Sequence, residues 1–149
     1  MKQLNTHTLF LSSLSLLLIT ILSCGGGDDG PEPPTAQEEA FALLAGDWSL
    51  SNGGSVLLDG SDVSGNYPGF SLSFTDGGYT TTNAGDLFRS SGTWEWAGDS
   101  DRMIVVDDSK QVSISLLNET DFNFSFQLTG SGGEAAGLAG SYEVRLKKE

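Results

Sequence analysis

Phe122-Asn123-Phe124-Ser125-Phe126-Gln127-Leu128 puts an aromatic or aliphatic side chain at every second position and a polar one between each pair. A period of two marks a strand with one buried and one solvated face, because successive Cβ atoms leave a strand on opposite sides. The same alternation runs through Val112-Ser113-Ile114-Ser115-Leu116 before it and Tyr142-Glu143-Val144-Arg145-Leu146 after it. Further back, Phe70, Leu72 and Phe74 alternate with serines, Thr93-Trp94-Glu95-Trp96 repeats the pattern, and Tyr79 to Thr82 and Met103 to Val106 have strand-forming composition. Val56 to Leu58 is a weaker run, and Trp48 and Leu50 open the series. Turn formers separate these segments: Asn52-Gly53-Gly54, Asp76-Gly77-Gly78, Gly98-Asp99-Ser100-Asp101, Asp107-Asp108-Ser109-Lys110 and Asn118-Glu119-Thr120-Asp121. The reading is an all-β antiparallel meander of about eight or nine short strands. One-faced strands must close on themselves or fold into a sandwich. Closure is expected, because Tyr142 to Leu146 can pair with the first strand at Trp48 and leave no long exposed edge.

Ahead of the strands the period is that of a helix. Thr35-Ala36-Gln37-Glu38 has capping-box spacing, Ala40, Phe41, Leu43 and Leu44 follow at helical intervals, and Gly46 suits the left-handed position past the end. A short helix over residues 36–45 is predicted. Residues 24–34 combine Gly, Asp, Pro and Glu after Cys24, a composition that buries nothing and reads as a flexible tether.

Residues 1–23 read as an export signal: a polar start with Lys2, the apolar run Leu9 to Leu22, then small residues. Fourteen residues of helix reach about 21 Å, well short of the roughly 30 Å of a hydrocarbon core, so a permanent membrane span is disfavoured. Ile21-Leu22-Ser23-Cys24 resembles the lipobox of bacterial lipoproteins, which implies cleavage before Cys24 and acylation of its thiol. Cys24 is the only cysteine, so no intramolecular disulfide is available to it. The glycines and acids of Gly25 to Asp29 are similar to the start of surface-exposed lipoproteins of the Bacteroidota. That resemblance implies an outer-membrane, lipid-anchored protein facing the cell exterior. The expected domains are a signal at 1–23, a lipidated tether at 24–34 and a barrel at 35–149.

Composition removes several functions. The 149-residue chain has a net charge of −13, and loss of residues 1–23, which hold Lys2 and no acid, takes it to −14. Its remaining bases, Arg89, Arg102, Lys110, Arg145, Lys147 and Lys148, form no cluster, so nucleic acid is not an expected partner. His7, the single histidine, lies within the signal. The mature chain thus has no His-based or Cys-based catalytic set and no usual zinc ligands. Asp59-Gly60-Ser61-Asp62, Asp99-Ser100-Asp101 and Asp107-Asp108 offer oxygen ligands, but none follows the spacing of a calcium loop, and these residues are ordinary turn formers. No carboxylate pair stands out for glycoside hydrolysis. Gly130 to Gly140 lacks the lysine of a phosphate-binding loop and reads as a surface loop. No cofactor, no metal and no enzymatic activity are expected.

Gly46-Asp47-Trp48, on the first strand just after a short helix, resembles the first motif of the lipocalins and their calycin relatives. Gly92-Thr93-Trp94-Glu95-Trp96 is similar to the Gly-Thr-Trp strand of small lipocalin-like lipoproteins of the Bacteroidota. The resemblance covers roughly residues 40–148 and implies a lipocalin-like barrel with Trp48 sealing its base. It departs from a full lipocalin in two respects: a Thr-Asp-Tyr motif is missing before the last strands, and no late arginine matches the one that packs over the tryptophan, Arg145 being poorly placed. Trp94 and Trp96 share a face; they either line a mouth that stacks a sugar or apolar ligand, or are two large core residues. The expected role is a lipid-anchored, surface-exposed lipocalin-like module that binds a small apolar or amphipathic ligand. The alternative is a structural or interaction lipoprotein with a filled barrel, and a carboxylate-based hydrolase comes last. Short strands predict a small or shallow cavity at most.

If Cys24 carries the anchor, Cys24→Ala expressed in a native-like host should leave the detergent phase for the aqueous phase, since a firm anchor needs two or more acyl chains. Retention in detergent would place the anchor elsewhere.

Overall fold

A computed structural model describes residues 32–129 and 139–149 of the chain. The expected signal, Cys24, the tether up to Pro31 and residues 130–138 of the Gly130 to Gly140 loop lie outside the described residues. The described elements belong to one compact unit, Pro33–Glu149.

Helix α1 spans Ala36–Leu44. The Thr35 hydroxyl accepts from the Glu38 amide at 3.2 Å, and the Glu38 carboxylate accepts from the Thr35 amide at 2.7 Å, so the expected capping box satisfies two amides that have no partner inside the helix. The helix ends where Gly46 adopts φ +109, a conformation side-chain-bearing residues rarely take. A Cβ there would also lie 3.2 Å from Lys148 Nζ. The conformation therefore favours the glycine of Gly46-Asp47-Trp48, and a side chain there would also have to displace the tip of Lys148 slightly.

Ten strands follow among the described residues: β1 Gly46–Ser49, β2 Ser55–Leu58, β3 Ser61–Asp62, β4 Ser71–Thr75, β5 Gly78–Thr82, β6 Ser91–Trp96, β7 Met103–Val106, β8 Lys110–Leu117, β9 Asp121–Leu128 and β10 Gly140–Lys148. Neighbours run β1-β4-β5-β6-β7-β8-β9-β10, and β10 returns to β1, so eight antiparallel strands close a barrel. The ring closes through only two residue pairs, Trp48 opposite Lys148 and Ser49 opposite Lys147. Continued without interruption, that register would set Ser51 against Arg145, yet Ser55 is there. The four looped-out residues detach β2 from the ring. It lies along the remaining edge of β10 and forms a hairpin with β3, which is why the weak Val56 to Leu58 run is a strand outside the barrel.

The alternating segments turn their apolar sides inward. Phe122, Phe124 and Phe126 of β9 are all buried and stand between Val112 and Ile114 of β8 and Tyr142, Val144 and Leu146 of β10, also buried. Leu116, expected to continue the inward series, is instead 40% exposed. The ladder between β8 and β9 shifts register between Ile114 and Leu116, a β-bulge that reverses the phase and buries Leu117 in its place.

Rings fill the interior. Trp48 contacts Phe122 at 5.4 Å, Phe122 contacts Phe124 at 4.7 Å, Phe124 contacts Phe126 at 6.2 Å, and Phe126 stacks on Tyr142 at 5.3 Å. The segment between β5 and β6 adds to them by folding inward: Ala84, Leu87 and Phe88 are buried, with Phe88 5.1 Å from Phe126 and 6.1 Å from Phe124. Lys110 holds this segment down by donating to the Leu87 carbonyl, with its ammonium 4.5 Å from the Phe88 ring centre and 5.1 Å from that of Phe126.

Tyr79 is buried opposite Gly92 and donates to Asp107 at 2.6 Å. The other Asp107 oxygen accepts from the Thr93 amide at 3.2 Å. A Cβ on Gly92 would come 2.0 Å from that oxygen and 2.5 Å from the Tyr79 ring, so the glycine of Gly92-Thr93-Trp94 makes room for this pair.

Burial, then a hydrogen bond with Tyr142, pushes the Tyr67 phenol up to about 12. Burial, followed by the hydrogen bond to Asp107, raises that of Tyr79 as well. A group whose pKa is raised on folding stabilises the fold fully below its unfolded value, here 10.0, and loses that contribution as pH climbs through the folded value. Lys110 and Lys148 act with opposite sign: burial pulls both ammonium groups below 10.5, so their penalty fades as pH approaches that value. The denaturation midpoint should therefore hold to about pH 10 and fall between about 10 and 12, with tyrosinate absorbance from both residues appearing together with unfolding. A midpoint unchanged at pH 12 would contradict this account.

Candidate functional site

The barrel end that carries α1 is its base. Trp48 is fully buried there and donates its indole N–H to the Leu44 carbonyl at 2.8 Å. Lys148 places its ammonium 4.3 Å from the Trp48 ring centre and donates to the carbonyls of Leu43 and Ala45. The cation over Trp48 is thus Lys148, while Arg145 is exposed and paired with Glu143 at 2.7 Å.

The helix does not cover the base evenly. Gln37 donates to the carbonyls of Gly98 at 2.7 Å and Ser100 at 3.1 Å, fastening the start of α1 to the turn between β6 and β7. Between the start of α1 and the β4–β5 turn at Asp76-Gly77 an open groove of about 430 Å³ remains. Phe41, Trp94 and Trp96 line it with aromatic surface, and the acidic residues Glu38, Asp76 and Glu95 border it, Glu95 leaving β6 on the face opposite the two tryptophans. Its volume falls within the range of small-molecule sites.

The two tryptophans differ in role. Trp94 is 6% exposed, donates its indole N–H to the Thr75 carbonyl at 2.8 Å, and meets Phe74 edge-on at 5.8 Å and Phe41 at 5.8 Å. It is both a core residue and the floor of the groove. Trp96 is half-buried and stands perpendicular to Trp94, centroids 5.3 Å apart. Its ring serves the core on one side and the groove on the other. The Glu38 carboxyl is held below its ordinary range by its hydrogen bonds with Thr35.

Other residues singled out in the sequence have structural partners. Asp59 accepts from the Ser141 amide at 2.9 Å, Asp62 from the Ser64 amide at 2.8 Å, and Asp101 pairs with Arg102 at 3.5 Å. Among the described residues, no three His, Cys, Asp or Glu side chains group closely enough to hold a metal ion. A second concavity of about 700 Å³ borders Ser113, Ser125 and Gln127. It is larger than the base groove but brings no convergent aromatic or charged set together beyond Lys110 and Phe126, which already serve the core.

No protein-family model matches the chain, and a search of curated proteins finds no similar one. The assignment of the barrel therefore rests on its geometry, which is compatible with a lipocalin-like fold.

Phe41, Glu38 and Asp76 were not picked out by the sequence as site residues. Only the packing of α1 beside the β4–β5 turn brings them to Trp94 and Trp96. Denaturant titration of single variants should rank the three tryptophans. Trp48→Ala and Trp94→Ala should each cost about 3–5 kcal/mol, whereas Trp96→Ala should cost about 1 kcal/mol. Equal losses at all three would make Trp96 a core residue only.

Proposed function

We propose that this protein is a lipid-anchored binding module at the cell exterior, and that it takes a small amphipathic ligand in the groove at its base. The observation that carries this reading is the pairing of a ring-filled interior with an open, aromatic-lined groove. A lipocalin-like calyx would receive its ligand along the barrel axis; here Phe88, Phe124 and Phe126 occupy that space. The groove offers what an amphipathic ligand needs, flat apolar faces on Phe41, Trp94 and Trp96 beside carboxylates. The anchor rests on Cys24 and its lipobox, with residues 24–34 as tether.

The module binds rather than turns over its ligand. The carboxyl of Glu38 in the groove is lowered, the wrong direction for a general acid near neutral pH. A solid barrel also favours a second reading, in which the protein meets protein partners through its surface and has no small ligand.

A panel of small amphipathic molecules, titrated while the tryptophan indole N–H signals are followed by NMR, separates the two. The expected result is saturable movement of the Trp96 signal by some panel members, lost in Trp96→Ala. A panel that leaves every indole signal in place favours the interaction protein.

A further inference from the structure

Resting on the groove as the binding site, we infer that its ligand is a small organic cation: an ammonium group on an apolar body about the size of one aromatic ring. The polar complement of the groove is unbalanced. Glu38 and Asp76 supply acceptors, and Glu95, on the opposite face of β6 from the tryptophans, adds negative charge beside them. Of the lining donors, the Gln37 amide is committed to the main-chain carbonyls of Gly98 at 2.7 Å and Ser100 at 3.1 Å and the Trp94 indole to Thr75 at 2.8 Å, which leaves the Trp96 indole and the Thr35 hydroxyl facing those acids. A ligand that only donates fits.

Charge argues the same way. Among the described residues no basic side chain lines the groove: Arg89 is next to Asp107, Arg102 next to Asp101, Arg145 is paired with Glu143 and Lys147 with Asp121. Lys110 and Lys148 are bound to main-chain carbonyls elsewhere. The three carboxylates are thus uncompensated in a chain of net charge −13, whose field draws cations in and repels anions. One feature opposes this, the N-terminus of α1, which carries roughly half a positive charge. Thr35 and Glu38 already cap it, and Glu39 adds a further acid in the first turn, so the local balance stays negative. The exposed aromatic faces add to the preference, because the ring quadrupole attracts a cation placed over it.

Three probes sharing one aromatic body test the charge: phenethylammonium, phenethyl alcohol and hydrocinnamate, each titrated into the full chain in a nonionic detergent while indole N–H signals are recorded. Phenethylammonium should move the Trp96 signal and bind at least about tenfold more tightly than the alcohol, with hydrocinnamate weakest. Its affinity should fall with added salt and drop about tenfold in the Asp76→Asn, Glu95→Gln double variant, both positions being exposed, while binding of the alcohol is unchanged. An alcohol that binds the groove as tightly as the ammonium would overturn the cation while leaving the groove standing. Movement of the indole signals by none of the three probes, or movement that persists in Trp96→Ala, would remove the groove as the site and the cation with it.

Discussion

The fold depends on the contact at the barrel base where Lys148 lies against Trp48. The ring closes through two residue pairs between β1 and β10, with the Glu149 amide also donating to the Asp47 carbonyl at 3.0 Å. Lys148 strengthens that seam from one side and Trp48 from the other. The ammonium lies over the indole and donates to the last carbonyls of α1, where the helix leaves its acceptors unsatisfied and its dipole is negative. The indole N–H binds Leu44 on the same helix. First strand, last strand and helix therefore meet on one side-chain pair, and Gly46, at φ +109, lets the chain turn beside it.

Lys110 uses the same device higher in the barrel. Its stem is covered, and its ammonium is satisfied by the Leu87 carbonyl and two aromatic faces. Burial lowers its pKa, a penalty that the fold accepts in exchange for fixing Leu87 and Phe88 inside. With those side chains in place the barrel interior is a packed core.

At the barrel base, packing and charge act together. The helix is fastened at its start through Gln37 and at its end through Lys148. What it leaves uncovered is the flank of Trp94 and Trp96 beside the β4–β5 turn. Among the described residues no basic side chain lines that flank, so its carboxylates are not neutralised by a neighbouring cation.

Local sequence determined the elements: the Thr35 and Glu38 capping box, the alternation from Phe122 to Leu128 and the Asp- and Gly-rich turns are decided by neighbours a few residues apart. Closure was also legible, because β10 had to pair with something and the strand at Trp48 was free. Tertiary structure decided the rest, since it depends on residues distant in sequence finding one another. Lys148 reaches a carbonyl 105 positions away, and no local pattern marks it. The bulge that exposes Leu116 follows from the fit of β8 to β9, and the detachment of β2 from the length of the loop before it. Leu87 and Phe88 look like part of an ordinary connection until the space they fill is known. The groove was half visible as Trp94 and Trp96, which share a strand face by simple period. Phe41, Glu38 and Asp76 join them only because a helix and a turn, each specified locally, are brought side by side by the closing of the barrel.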